Sequence, residues 1–266
     1  MSKKPKYVPK RTPKIGSFSF VCLVAIGAII LSSIGDVAPS PQRIFEGIPR
    51  LTNLLGRMLP PNMEEEFIFR MFWVLIETME IAIAGTFIGI FLSLPIAWFS
   101  AKGISPLGPF RWLIRGVVSL CRTIPDLVWA LIFVSTVGLG AVAGTMTIVV
   151  DTLGFCGRFF AEAFEDTDPK AKQAIRTIGG NQWNIISSAI IPEAMPSLIN
   201  TSLYALERAI RSSVVLGLVG AGGIGQELKV AFDLFQYKNA SAIILAIFVI
   251  VMAMETLTDW LRKKVS

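Results

Sequence analysis

The stretch IAIAGTFIGIFLSLPIAWFSA, residues 81–101, is an apolar run without a charged side chain. A helix rises about 1.5 Å per residue, so this run is long enough to cross a hydrocarbon layer of roughly 30 Å. Two other uncharged stretches have a similar length: GSFSFVCLVAIGAIILSSIG (16–35) and LVWALIFVSTVGLGAVAGTMTIVV (127–150). The sequence therefore predicts a helical protein that crosses a membrane several times.

The composition agrees with a membrane protein and excludes several kinds of enzyme. Of the 266 residues, 53% are apolar and 17% are charged, and the mean hydropathy is +0.63, whereas a soluble domain is about a quarter charged. Because the chain has no histidine, it lacks imidazole bases, imidazole metal ligands and the usual catalytic triads. Cys22, Cys121 and Cys156 lie far apart in apolar segments, which favours packing roles over a metal site or a disulfide. We predict no catalytic residue and no metal site.

Basic residues concentrate at the two ends of the chain, which accounts for much of the net charge of +6. Short basic flanks mark the cytoplasmic side of a membrane protein. We therefore interpret this charge as a topology signal, with both termini in the cytoplasm, and expect an even number of spans and no nucleic-acid partner. The flanking residues are Lys3, Lys4, Lys6, Lys10, Arg11 and Lys14 before the first span, and Arg262, Lys263 and Lys264 after the last.

The expected even number of spans decides how the long central apolar segment is divided. A glycine-rich turn, residues 138–144, separates two apolar runs that would otherwise make one segment and five spans. Residues 1–66 are expected to form a basic tail, the first span and an external segment that includes an amphipathic helix on the membrane surface, and residues 67–266 to form the transmembrane domain. The six predicted spans are 16–35, 67–100, 113–137, 142–163, 197–218 and 240–260.

The internal cytoplasmic stretch, residues 168–192, has the pattern of two short helices joined by a glycine elbow. Asp168 can cap the first helix and Gly179 can end it, while Asn181 can cap the second until Pro192 stops or kinks it. This surface suits the docking of a partner, although periodicity alone equally allows helices that pack beneath the bundle or lie on lipid headgroups. The residues expected on the two apolar faces are Ala171, Ala174, Ile175 and Ile178, and then Trp183, Ile186 and Ile190.

The same stretch resembles the cytoplasmic EAA signature of ABC-importer permeases, E-A-A-x3-G-x9-I-x-L-P. Ala174 precedes Gly179 by five positions, and Pro192 follows thirteen positions later. Four positions depart from the signature: Gln173 replaces the glutamate, Ile175 the second alanine, Ala189 the isoleucine and Ile191 the leucine. The segments 122–144, 159–181 and 207–240 are similar to the phosphonate-type branch of these permeases, so the resemblance covers about residues 65–260.

This resemblance implies an all-α, type I ABC importer permease that belongs to the binding-protein-dependent inner-membrane components, the superfamily that includes methionine permeases. It implies a homodimer in the inner membrane, surrounded by lipid, with an external substrate-binding protein. It also implies two cytoplasmic ATPase subunits that carry the ATP and Mg, so that this chain binds no cofactor. Finally, it implies that the EAA region lies in a groove on the ATPase. The residues expected to couple the two subunits are Gln173, Ala174, Gly179, Gly180, Asn181, Trp183, Ile191 and Pro192.

Charged residues inside the predicted spans are candidates for a transport pathway, because ionisable groups at membrane depth are costly. In the fifth span Glu207 and Arg211 have i,i+4 spacing and are expected to pair, which leaves Arg208 for another partner. Arg122 and Asp126 have the same spacing in the third span. Guanidinium groups suit an oxyanion such as a phosphonate. The alternative is that these charges form salt bridges that fix helix register. The predicted translocation path comprises Arg208, Arg211, Glu207 and Arg122; Asp151, Glu77 and Glu80 are further intramembrane acids.

A G-x-G-x-x-G motif, Gly220 to Gly225, resembles a dinucleotide-binding loop, but its context argues against that function. It follows a charged spanning helix, no acid stands about 20 residues later to hold a ribose, and the span count places it on the external face. The chain also has no G-x-x-x-x-G-K-[ST] loop for ATP. The motif is instead interpreted as an external gate loop whose glycines, Gly220, Gly222, Gly223 and Gly225, allow positive φ and close helix approach.

Together these features predict a permease subunit that moves phosphonate, phosphite or a phosphate ester by alternating access and is not itself an enzyme. The alternatives are an ABC permease for methionine, betaine or phosphate, a secondary transporter or channel, and a membrane oxidoreductase that uses the glycine motif.

Overall fold

The structure is a computed structural model that describes residues 16–37 and 41–265, and every element in these ranges is helical. The chain divides into two compact units, residues 1–56 and 57–266. The helices are α1 (Ser17–Val37), α2 (Pro41–Met58), α3 (Glu65–Ser100), α4 (Arg111–Thr123), α5 (Asp126–Val137), α6 (Ala141–Glu165), α7 (Pro169–Thr177), α8 (Gln182–Ile185), α9 (Ile191–Gly217), α10 (Ile224–Asp233) and α11 (Tyr237–Val265).

The first unit contains α1 and most of α2. Residues Ser17–Gly35 of α1 have a mean hydropathy of 2.4, and the side chains along this stretch are not buried within the chain, as expected of a helix that faces lipid. Helix α2 is amphipathic, with Ile48, Leu51 and Leu55 exposed along one face. The predicted helix in the external segment is therefore present, and its position on the membrane surface stays a prediction. The basic residues Lys3 to Lys14 lie outside the described residues.

The second unit is organised by the packing of α3 against α6. Gly85 and Gly89 of α3 face Ile148 and Thr152 of α6, and a Cβ atom on either glycine would lie within 2.7 Å of its partner's side chain. The pairs advance in the same direction along both helices, so α3 and α6 run parallel. Glycine at these positions lets the two backbones approach closely, a common device between membrane helices.

The predicted third span, 113–137, is not one continuous helix. Helices α4 and α5 meet at an angle of 90°. Ile124 adopts an extended conformation with ψ of 123°, because the ring of Pro125 disfavours the helical conformation at the residue before it. Proline therefore breaks the segment into either two halves of one broken span or a re-entrant pair, and the predicted third span is not one helix.

The structure supports part of the predicted span count. Ser17–Gly35, Glu65–Ser100 and Tyr237–Lys264 are long and apolar enough to cross a membrane, and the bent pair α4 and α5 is a fourth candidate. Helices α6 and α9 occupy the places predicted for the fourth and fifth spans and are long enough, but both carry several charged residues and do not qualify by composition. Six spans and cytoplasmic termini therefore stay predictions.

Helices α10 and α11 complete the bundle at the end where α3 begins. Ile224 and Ile243 are fully buried there against Phe67. A side-chain amide pair joins the same elements, since Asn62 Nδ2 donates to Asn239 Oδ1 at 2.9 Å. This end of the bundle holds the glycine motif, and the opposite end holds α7 and α8.

Candidate functional site

The predicted helix, elbow and second helix are all present in residues 168–192. The Asp168 carboxylate accepts a hydrogen bond from the Lys170 amide at 2.8 Å and caps α7. Gly179 has a φ of +84°, a left-handed conformation that favours glycine at the end of a helix. The Asn181 side chain accepts from the Asn184 amide at 2.9 Å and caps α8. The local capping chemistry was therefore predicted correctly.

The expectation that Pro192 stops the second helix was wrong, because the chain stays helical through this residue. A π-helical turn, Ile186–Ile190, joins α8 directly to α9, and Pro192 lies in the first turn of α9. Proline has no backbone N–H and its ring cannot occupy the regular helical ladder. The wider π turn just before it accommodates this mismatch while the chain stays helical.

The predicted apolar faces of these two helices are only partly buried. Ile190 is buried and Ile175 packs against the same core, whereas Ile178 is 84% exposed. Trp183 is 63% exposed and contacts Trp98 at the end of α3, with ring centroids 4.6 Å apart. The region therefore presents two large exposed apolar side chains and is tied to α3 through an aromatic pair.

The remaining predicted coupling residues lie on the same surface. Gln173, Ala174 and Pro192 are exposed, as are Gly179 and Asn181. Gly180 and Ile191 are half-buried. The start of α7 is fixed to α9, since the Asp168 amide donates to the Glu193 carboxylate at 2.9 Å. Lys172 donates to the Phe164 carbonyl at 3.2 Å, and burial lowers the pKa of this lysine, partly offset by nearby carboxylates including Glu193.

The second candidate region is a group of ion pairs in the middle of α9. Arg211 Nη1 lies 2.8 Å from Glu207 Oε1, which confirms the predicted i,i+4 pair. The second carboxylate oxygen of Glu207 lies 2.7 Å from Nη2 of Arg262 in α11. Sequence reasoning treated Arg262 as a topology signal and missed this contact, because no local pattern links residues 55 positions apart. Glu207 therefore bridges two arginines from different helices.

Arg208 and Arg122, the other predicted pathway cations, have different surroundings. Arg208 Nη2 lies 2.7 Å from Asp151 Oδ1 of α6, so the partner that the sequence left open is Asp151. No ion pair joins Arg122 to Asp126 in the described structure: the Asp126 carboxylate accepts from Ser212 Oγ at 3.0 Å, and Arg122 lies over the Phe159 ring. The expected i,i+4 pair was wrong because the break at Pro125 removes the shared helical face.

The arginines of these ion pairs are paired with carboxylates and are still accessible. The side chains of Arg208 and Arg211 are 36% and 43% exposed, whereas those of Asp151 and Glu207 are 14% and 11% exposed. The carboxylates are thus held inside the bundle and the guanidinium groups reach outward. Such an arrangement can present hydrogen-bond donors to an anion while compensating the buried acids.

The glycine motif is packed inside the bundle. Gly220, Gly222 and Gly223 have φ values of 90°, 84° and 72°, as predicted, and the loop approaches α3 and α6 closely. The Ile224 amide donates to Thr78 Oγ1 at 2.8 Å, so this backbone amide of the motif is bonded within the bundle. A Cβ atom at Gly225 would lie 1.9 Å from the Val214 carbonyl oxygen. The motif joins helices by close backbone contact, and its function as an external gate stays a prediction.

Among the described residues, no cluster of three or more Cys, Asp or Glu side chains could hold a metal ion. The described part of the chain instead combines a helical bundle, an exposed helix–elbow–helix at one end and arginine–carboxylate pairs in between. This combination is typical of the membrane subunit of a transport system.

Comparison with known proteins identifies the family. The chain belongs to the binding-protein-dependent transport system inner membrane components, whose family model matches residues 89–266. It is 35% identical over 225 residues to the phosphate-import permease protein PhnE of Mycolicibacterium smegmatis, an alignment that covers 85% of this chain and 42% of that protein. It is 33% identical over 222 residues to the phosphite transport system permease protein PtxC of Stutzerimonas stutzeri, covering 83% of this chain and 79% of that protein.

Solved structures share the fold. An inward-facing structure of the MetNI methionine ABC transporter superposes with a TM-score of 0.64 at 22% identity, covering 77% of this chain and all of that chain. A bacterial alginate ABC transporter in complex with a periplasmic protein superposes with a TM-score of 0.62 at 12% identity, covering 95% of this chain and 98% of that chain. The predicted ABC permease fold and inner-membrane location are confirmed, and the relatives are permeases and not enzymes.

Proposed function

We propose that the chain is the transmembrane permease subunit of an ABC importer that moves phosphonate or a related phosphorus oxyanion, such as phosphite or a phosphate ester, across the inner membrane. The observation that carries the proposal is its similarity, at 33–35% identity, to permeases named for phosphate and phosphite. Two accessible arginines in α9, Arg208 and Arg211, add a chemical reason, since guanidinium groups bind such oxyanions with paired hydrogen bonds.

In this proposal the oxyanion and the carboxylates compete for hydrogen bonds from the same arginines. Asp151 and Glu207 keep Arg208 and Arg211 paired when no substrate is present, and a passing oxyanion takes over some of their hydrogen bonds. Because the carboxylates compete, binding stays weak enough for the anion to leave, as a conduit requires. Arg122, at the bend between α4 and α5, lies along the same path. Selectivity then rests mainly with an external substrate-binding protein.

The energy comes from two ATPase subunits, which hold the ATP and Mg and dock on residues 168–192 of a homodimeric permease. Movement of this surface reaches the bundle by two routes: the aromatic contact of Trp183 with Trp98 in α3, and the continuous helix that leads into α9. Arg208 lies 17 positions after Ile191, or about 25 Å along α9. Rocking of α9 would therefore move the arginines and open the path to each side in turn, with the Gly220–Gly225 loop at the outer gate.

Uptake measurements test the substrate and the arginines together. Cells that carry the permease with its cognate ATPase and binding protein are given radiolabelled phosphite or methylphosphonate. Arg208→Gln removes a charge-assisted hydrogen-bond donor, worth about 1.5–3 kcal/mol, so uptake is expected to fall by roughly 10- to 150-fold. Arg158→Gln is the matched control, because Arg158 forms an exposed i,i+4 pair with Glu162 in α6. Unchanged uptake in Arg208→Gln and Arg211→Gln would remove the arginines from the pathway.

A binding screen on the cognate external protein tests the substrate class separately. We expect it to prefer a phosphorus oxyanion over amino acids and uncharged sugars. Preference for an amino acid or a sugar would overturn the substrate assignment while leaving the permease assignment intact.

The docking surface is tested by co-purification of the ATPase. Trp183→Asp places a charge on an exposed apolar side chain of the proposed interface, so the amount of bound ATPase and the coupled uptake should both fall. Phe235→Asp is the control, because Phe235 is also an exposed aromatic residue, at the opposite end of the bundle. Equal ATPase recovery from both variants would refute the docking role of residues 168–192.

A further inference from the structure

An apolar groove of about 610 Å³ runs between α3, α6 and α9, and no member of the arginine–carboxylate pairs lines it. Along α3 it extends from Ile83 to Trp98, and Phe160 and Phe164 of α6 also line it. None of the described residues that line the groove is charged, and its polar side-chain groups are the hydroxyls of Thr86 and Ser202 and two indole N–H groups. A phosphorus oxyanion or another hydrophilic substrate has no partner here, so the groove suits a hydrocarbon.

The groove is longer than one leaflet of a membrane and shorter than the whole hydrocarbon core. Ile83 and Trp98 are 15 positions apart, which corresponds to about 22 Å along α3. One leaflet contributes about 15 Å of a hydrocarbon core that is roughly 30 Å thick. The wall of the groove also belongs to the uncharged stretch 81–101, which is expected at membrane depth. Lipid tails are therefore the hydrocarbons expected to surround this part of the protein.

One end of the groove carries side chains that are typical of the membrane–water interface. Trp98 and Trp183 meet there with ring centroids 4.6 Å apart, and tryptophan is enriched where the hydrocarbon layer meets the headgroups. This end of the groove is therefore expected at the level of the headgroups, and the rest of the groove in the hydrocarbon layer.

We propose that this groove binds one acyl chain of a membrane phospholipid, with the headgroup end of the lipid near the Trp98–Trp183 pair. The acyl chain fills space between α3 and α9, and it also contacts Ile186 in the π-helical turn. A bound lipid therefore stabilises the junction between the bundle and residues 168–192. This site is separate from the proposed oxyanion path and does not depend on the identity of the transported substrate.

Photolabelling of the full-length chain tests the site. The purified protein in detergent receives a phosphatidylglycerol that carries a diazirine on one acyl chain, and the adducts are mapped by mass spectrometry after illumination. We expect adducts on groove residues such as Phe87 and Met195 in preference to exposed apolar residues outside it, such as Phe91 and Phe248. Equal labelling of both sets would overturn the proposal.

Two variants of equal exposure provide the control. Leu94 lines the groove and Leu92 does not, and the two residues are 39% and 40% exposed on the same helix. Each buried methylene contributes about fourfold to affinity, so an indole that displaces two methylenes lowers groove labelling by roughly 15-fold. Leu94→Trp should show this loss and Leu92→Trp should not. Equal labelling in the two variants would contradict a lipid in the groove.

A second pair of variants tests the site independently, in case Leu94→Trp misfolds. Met195→Trp fills the groove from α9, and Val215→Trp changes a residue of α9 with similar exposure that lies outside the groove. Loss of labelling in Met195→Trp alone supports the proposal. If a photoreactive leucine at position 94 instead cross-links two copies of the chain, the groove is an interface between protomers and the lipid proposal fails.

Discussion

Gly144 is the position at which one added methyl group should most clearly disturb the packing of the glycine motif. It lies in α6 at the point where α6 meets the buried loop that follows α9. A Cβ atom at Gly144 would lie 2.4 Å from the Ala221 carbonyl oxygen and 3.2 Å from Ile81 Cγ2. The nearer atom belongs to the backbone, so it cannot rotate away as a side chain could. Gly144→Ala must therefore push the loop and α6 apart.

The magnitude follows from two opposing effects. Forcing a methyl group into a packed contact costs typically about 1–3 kcal/mol, and a backbone contact this short belongs at the upper end. Replacing a helical glycine by alanine gains about 1 kcal/mol in helix propensity. We expect a net loss of about 2 kcal/mol. Gly157, in the same helix, has only ordinary contacts at 3.6 Å and beyond, so Gly157→Ala should gain about 1 kcal/mol.

Thermal unfolding in detergent, followed by the fraction that stays monodisperse on size-exclusion chromatography, measures the difference. With roughly 2–4 °C per kcal/mol for a chain of this size, the two variants should differ by about 6–12 °C, with Gly144→Ala below the unmodified protein and Gly157→Ala at or above it. If Gly144→Ala is as stable as Gly157→Ala, the close approach between α6 and the loop is not a feature of the folded protein.

Two further substitutions probe buried polar contacts by the same unfolding assay. Glu207→Gln removes the carboxylate that bridges Arg211 and an arginine of α11, so we expect a loss of about 2 kcal/mol, reduced from the buried-pair range by the partial exposure of Arg211; Glu162→Gln, in an exposed pair, should cost less than about 1 kcal/mol. Thr78→Val leaves the Ile224 amide without its acceptor and should cost about 1–3 kcal/mol, whereas Thr86→Val removes a buried hydroxyl that has no partner among the described residues and should be neutral. Equal effects within either pair would contradict the assigned contacts.

Much of the fold and one part of the site could be predicted from the sequence because they depend on local chemistry. Apolar stretches of membrane length, the predicted spans 16–35, 67–100 and 240–260, marked the long helices α1, α3 and α11. Side chains at fixed short spacing defined the caps Asp168 and Asn181, the elbow at Gly179, and the pair of Glu207 with Arg211. Each of these features is set by residues within a few positions of one another, so a linear pattern is enough to reveal it.

The remaining features depend on which helices become neighbours. The sequence did not reveal that Arg208 pairs with Asp151 or that Arg262 reaches Glu207, because these residues belong to different helices. It also did not reveal that Pro125 turns the chain by 90° and so separates Arg122 from Asp126. The glycine motif illustrates the difference most directly: its positive φ angles follow from its composition, but the close contacts that bury it against α3 and α6 exist only once the bundle is assembled. Tertiary packing decides these contacts because a buried charge or amide must find its partner wherever the fold brings one.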